Sequence, residues 1–124
     1  MRDFYFFTSK KITAQECIET LRKEIKDVKM NGEDGIMIDG KFRSFIWFSD
    51  DTLEDFFCTQ EEKESLMQKI GIPTPYVTDF ETHRSVDLKR VIRSIMQLCP
   101  DLYVYDDGDF LGTAQEYLDT EFDY

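Results

Sequence analysis

The chain has 124 residues, with 26 acidic against 15 basic side chains and a formal net charge of −11. That balance argues against direct binding to DNA, RNA or an anionic membrane, because such contacts rest on Lys and Arg neutralising phosphate. At 41% hydrophobic the chain can bury the core of one compact domain, residues 1–124, without disulfide staples.

Phe4, Tyr5, Phe6 and Phe7 are apolar on both faces, as in an interior strand. Thr13-Ala-Gln-Glu16 is a capping box. The helix it opens is expected to run to about Lys26, with Cys17, Ile18, Leu21 and Ile25 as its buried stripe. Asn31-Gly32 and Glu33-Asp34-Gly35 are turn chemistry. Gly35 to Asp39 then reads as a strand. Asp39-Gly40 is a hairpin signal, with Phe42 to Phe48 as the partner strand. Phe45, Ile46, Trp47 and Phe48 put that strand centrally in a sheet.

Ser49 to Asp55 reads as an acidic loop. Phe56, Phe57 and Cys58 fit either a short strand or a buried turn. Thr59-Gln-Glu-Glu62 is a second capping box, opening a helix with Leu66, Met67 and Ile70 as its apolar face and Gly71 as its stop. Ile72-Pro-Thr-Pro75 is a rigid connector. Tyr76 to Glu81 sets Tyr76, Thr78 and Phe80 against Val77, Asp79 and Glu81, the alternation of a strand near an edge.

Leu88, Val91, Ile92, Ile95, Met96 and Cys99 recur at helical spacing, and Pro100 ends that helix. Leu102 to Tyr105 is a strand, Asp107-Gly108 a hairpin turn, and Thr113-Ala-Gln-Glu116 a third capping box opening a short helix through Leu118. Residues 119–124 read as an acidic, mobile tail. The order predicts an α/β (α+β) domain: a single mixed, mainly antiparallel sheet with about three helices packed on it.

The three cysteines, Cys17, Cys58 and Cys99, are odd in number and sit in apolar surroundings. They read as buried thiols of a reducing compartment rather than a disulfide framework. No window approaches the ~20 apolar residues of a membrane helix. The first residues turn polar too quickly for a signal peptide, so the expected location is the cytoplasm.

His83 is the one histidine, and it lies at a polar strand–helix junction that suits capping better than catalysis. With three scattered cysteines beside it, no zinc ligand set emerges. Asp106-Asp-Gly-Asp109 resembles a fragment of a calcium loop but lacks the later bidentate Glu. Adjacent exposed acids such as Asp50 with Asp51 do not provide the apolar pocket that raises a catalytic carboxyl's pKa. No catalytic set, metal site or cofactor is therefore expected.

The charge is unevenly spread. Residues 1–48 carry nine basic and eight acidic side chains, residues 49–124 six and eighteen, and no Lys or Arg follows Arg93. Acids interleaved with tyrosines suit a protein-binding surface, since Tyr combines contact area with a polar tip. The candidate contact residues are Asp50, Asp51, Glu54 and Asp55 in one group, and Tyr103, Tyr105, Asp106, Asp107, Asp109, Glu116, Tyr117 and Asp119 in another. An ordinary solvated acidic surface is the competing interpretation.

Three segments carry a family resemblance. They are Asp3 to Phe7 with the Thr13-Ala-Gln-Glu16 helix, Phe42 to Phe48 with its acidic follow-on, and Cys99-Pro-Asp-Leu-Tyr-Val-Tyr-Asp-Asp-Gly108. In this layout the chain resembles the immunity proteins of bacterial polymorphic toxin and contact-dependent growth inhibition systems. The resemblance implies a small cytosolic α/β protein without catalysis, whose partner is one cognate toxin domain, commonly a basic nuclease. No site residue is carried over from it. An adaptor or regulatory module with no toxin partner is the alternative, expected to show an apolar groove or an accepting edge strand. An enzyme is the third reading, expected to show a closed pocket around a carboxyl of strongly perturbed pKa.

Overall fold

The computed structural model of the protein describes residues 2–39, 43–55, 59–82, 85–106 and 110–120. Among them, seven strands form one sheet: β1 (Arg2–Thr8), β2 (Val28–Met30), β3 (Gly35–Ile38), β4 (Ser44–Thr52), β5 (Tyr76–Thr82), β6 (Tyr103–Asp106) and β7 (Phe110–Thr113). The helices are α1 (Ala14–Glu24), α2 (Gln60–Lys69), α3 (Ser85–Leu98) and α4 (Ala114–Leu118). The spatial order is β2-β3-β4-β5-β1-β6-β7, and every pairing is antiparallel. This is the expected α+β class, with four helices rather than about three.

Period-2 alternation divides the sheet into two faces. Phe4, Phe6, Ile36, Ile38, Ile46, Phe48, Phe80 and Val104 point inward and meet the buried stripes of α1, α3 and α4. α3 contributes Leu88, Val91, Ile92 and Ile95, and α1 contributes Cys17, Ile18 and Leu21. On the outer face a smaller cluster gathers Phe7, Leu53, Leu66, Ile70 and Ile72, so α2 covers only the end of the sheet near Phe7 and β6. Each fully buried side chain of this size is worth about 1.5–3 kcal/mol of transfer free energy, which fixes which face each strand turns inward.

The caps form as the side chains dictate. Thr13, Thr59 and Thr113 accept from the amides of Glu16, Glu62 and Glu116 at 3.2 Å each. At Thr113 the Glu116 carboxylate accepts in return from the Thr113 amide at 3.0 Å, completing the box. Cys17 and Cys99 are buried free thiols, and burial pushes Cys17 up to about 12. No helix among the described residues is long and apolar enough to cross a membrane.

Several expectations need correction. β5 lies at the centre of the sheet, between β4 and β1, not near an edge; its polar residues sit on an open face, which alternation alone cannot distinguish from an edge. β4 runs on through Thr52, followed by a 3₁₀ turn at Leu53–Asp55, where a loop was expected. α1 stops at Glu24, and Ile25 caps it in extended conformation. The edge strand β2 follows unanticipated, too short to show a period. Leu102 is buried just outside β6. Met67 is 46% exposed and lies off the buried face of α2. The expectations at Phe56–Cys58, His83, the 107–109 turn and residues 121–124 fall outside the described residues.

Because Ile92 is fully buried and Met67 is not, Ile92→Ala should cost about 2–5 kcal/mol and Met67→Ala no more than about 0.5 kcal/mol. Urea unfolding of both variants checks this, and a comparable loss at Met67 would contradict the orientation of α2.

Candidate protein-binding site on the open sheet face

The antiparallel registers align one row of outer-face residues across six strands: Gly35, Trp47, Asp79, Tyr5, Tyr105 and Leu111. A neighbouring row sets Phe45 beside Glu81 and Glu81 beside Asp3. The Tyr105–Leu111 end of the long row packs against the α2 cluster. The other end stays open, with Trp47 39% exposed and Asp3 on the surface.

Trp47 is held by its neighbours. Its ring stacks on Phe45 at 5.8 Å between centroids, with 9° between planes. It also lies directly on Gly35, where an added Cβ would come within 3.1 Å of the indole and 2.6 Å of the Asn31 carbonyl oxygen. The glycine is what lets the ring lie flat. Tyr5 is placed from the other side by Tyr105, 6.2 Å away between ring centroids.

Between Trp47 and Tyr5 opens a cavity of about 360 Å³, lined by Tyr5, Trp47, Ser49, Asp51, Asp55, Val77 and Asp79. Three carboxylates and two aromatic rings thus share one depression that, among the described residues, no basic side chain lines. Asp79 is the unusual member. Burial first, then the negative charges of Asp3 and Glu81, push its pKa up from 3.8 to about 6. Its Oδ1 is shielded from solvent and receives no hydrogen bond among the described residues, an uncompensated buried acceptor. Oxygens of Asp3, Asp79 and Glu81 lie within 4.8 Å of one another, so the group can hold a cation between them.

The structure separates the residues that the sequence grouped. Asp51 and Asp55 line the cavity. Asp55 also accepts from the Thr52 amide at 3.1 Å, which anchors the turn after β4. Asp50 points the other way and pairs with Lys11, whose pKa is raised chiefly by that hydrogen bond. Glu54 is exposed on the 3₁₀ turn, where its carbonyl accepts from Lys63.

Tyr103 and Tyr105 are half-buried on the outer face beside α2. Asp106 and Tyr117 are corrections: both are buried, Tyr117 completely, where it meets Phe4 and Phe110 edge-on, so neither offers a surface contact. Glu116 serves the α4 cap, which holds its pKa below the usual range. Asp119 is exposed in the helix layer, accepting from Gln115. Asp107 and Asp109 lie outside the described residues. The residues that the sequence missed are Asp3, Tyr5, Phe45, Trp47, Asp79 and Glu81; the Val77/Asp79/Glu81 alternation was the one available signal.

A larger depression of about 480 Å³ opens between α2 and the β7 edge, lined by Glu62, Ser65, Leu66, Lys69, Tyr105, Phe110 and Leu111. Its one acid is accompanied by a base, so it gathers no charge of one sign. Compared with protein-family models, curated proteins and solved structures, the chain matches none.

Asp79 binds its proton more tightly folded than unfolded, so this group's contribution to stability falls as pH rises from about 4 to about 6. Asp79→Asn removes that penalty. After discounting for solvent screening of a half-buried carboxylate, the variant should exceed the parent by about 1 kcal/mol at pH 7, and the gain should vanish below about pH 4. Urea unfolding at both pH values tests this; a difference independent of pH would contradict it.

Proposed function

We propose that this protein is a non-catalytic inhibitory binding protein, an immunity protein that works in the cytoplasm and occludes a basic surface of a cognate toxin domain. One observation carries the reading: the open end of the outer sheet face, where Asp3, Asp51, Asp55, Asp79 and Glu81 gather about Phe45 and Trp47, with Tyr5 at the border of the α2 cluster. Carboxylates there stand where substrate phosphates would stand in a basic cleft. They raise the rate of encounter with a cationic partner. The aromatic rings supply the contact area that holds the complex once water is expelled. A basic nuclease domain fits this chemistry.

The apolar depression lined by Leu66, Phe110 and Leu111 supports a second reading, an adaptor that takes an apolar peptide segment beside α2. The raised pKa of Asp79 is a feature of acid–base catalysts too. Here, however, partial burial and then the like charges of Asp3 and Glu81 on an open sheet face account for it, and no described residues close an apolar pocket over it of the kind such catalysis uses.

The experiment is capture of partners from the protein's own cells at low salt, followed by assay of what is captured. The expected result is one stoichiometric basic polypeptide, released by salt, whose toxic activity the protein suppresses. The triple reversal Asp3→Lys, Asp51→Lys, Glu81→Lys should weaken that complex at least about a hundredfold with the circular dichroism unchanged. Binding that survives both the salt and the reversals refutes the electrostatic mechanism.

A further inference from the structure

The cavity poses a specific question: what does a depression lined by three carboxylates and two aromatic rings receive? Asp79 sits in one cross-strand row between Trp47 and Tyr5. Its Oδ1 is shielded and without a donor among the described residues, so any bond to a group in the cavity falls to its other carboxylate oxygen. Asp3 and Glu81 add negative charge on one side, and Asp51 and Asp55 on the other. A group that fits must be cationic, must donate hydrogen bonds to a carboxylate, and must tolerate aromatic walls.

Three classes of cation can be weighed against this lining. A divalent metal ion prefers a shell of oxygen ligands and gains nothing from the indole and phenol rings. An ammonium is a compact, strongly hydrated point charge, which makes entry into a half-buried site costly. A guanidinium is planar, weakly hydrated, donates two parallel hydrogen bonds to one carboxylate, and stacks on aromatic faces. The volume, about 360 Å³, lies at the small end of the ~300–1,000 Å³ typical of sites for small groups.

We infer that the cavity between Trp47 and Tyr5 receives one guanidinium group, an arginine side chain of the basic partner, with Asp79 as its carboxylate. This rests on the basic-partner reading above but concerns a single subsite within the surface. Trp47, pinned flat by Gly35 and Phe45, forms one wall. Asp79 accepts from the guanidinium through its other carboxylate oxygen, and Asp51 and Asp55, which line the same cavity, draw the cation in.

Trp47 is the only tryptophan of the chain, so it reports on the site without labelling. The purified protein is titrated at pH 7.5 and constant ionic strength with N-acetyl-arginine amide, N-acetyl-lysine amide, calcium chloride or sodium chloride. Trp47 fluorescence and the indole and backbone amide shifts in nitrogen-15 NMR are both followed. The expected result is saturable binding of the arginine probe at roughly millimolar concentration, at least about fivefold tighter than the lysine probe. It should be lost by about tenfold or more in Asp79→Asn, a variant expected to remain folded.

Equal responses to arginine and sodium, tighter binding of calcium, or an Asp79→Asn variant that binds unchanged overturns the inference. Capture of a basic toxin by a protein that ignores the arginine probe overturns this subsite and leaves the inhibitor reading in place. Saturable arginine binding with no basic partner in the cells supports the subsite and overturns that reading.

Discussion

The constraint on which the rest depends is unequal cover for a two-faced sheet. Seven strands present two broad faces, and α1, α3 and α4 are all committed to the inner one. α2 is left for the outer face, and its cluster reaches from Leu111 and Tyr103 as far as Tyr5 and Val77. The remainder of that face must be tolerable in water, so it alternates rings with carboxylates instead of aliphatic side chains. The function proposed above is assigned to the area that the helices leave uncovered.

The elements were largely legible because their signals are local. Threonine caps, Pro100 and the 3.6-residue stripe of α3 each act within a few residues. Burial then confirms the stripe at Leu88, Val91, Ile92 and Ile95. What failed depended on partners distant in sequence. Residues 49–52 look like a loop by composition, yet they continue β4 because Thr52 pairs with Tyr76. β5 looks like an edge because Asp79 and Glu81 cannot enter a core, and only its pairing with both β1 and β4 shows that its polar side faces open solvent at the sheet's centre.

The site was legible only as a tendency toward acids and aromatics. Grouping acids by proximity in sequence joined Asp50 to Asp51, although adjacent strand residues point to opposite faces. The same grouping admitted Tyr117, which the short α4 helix turns into the core against Phe4 and Phe110. It omitted Asp79, which meets Trp47 and Tyr5 only through two cross-strand registers. A surface charge pattern is a property of the folded sheet, and no linear window contains it.

The extension of β4 into its acidic segment carries a consequence of its own. Carboxylates on a loop must be ordered when a partner arrives, at a cost of about 0.5–1.5 kcal/mol for each immobilised flexible side chain and more for the backbone. Asp51 rides on a strand whose end is tied to β5 through Thr52 and Tyr76, and Asp55 is fastened to the Thr52 amide. Part of the backbone entropy is therefore already lost in folding. For the basic partner proposed above, such an acidic rim would act more as a ruler than as a tether, favouring cations that match the spacing of its backbone anchors.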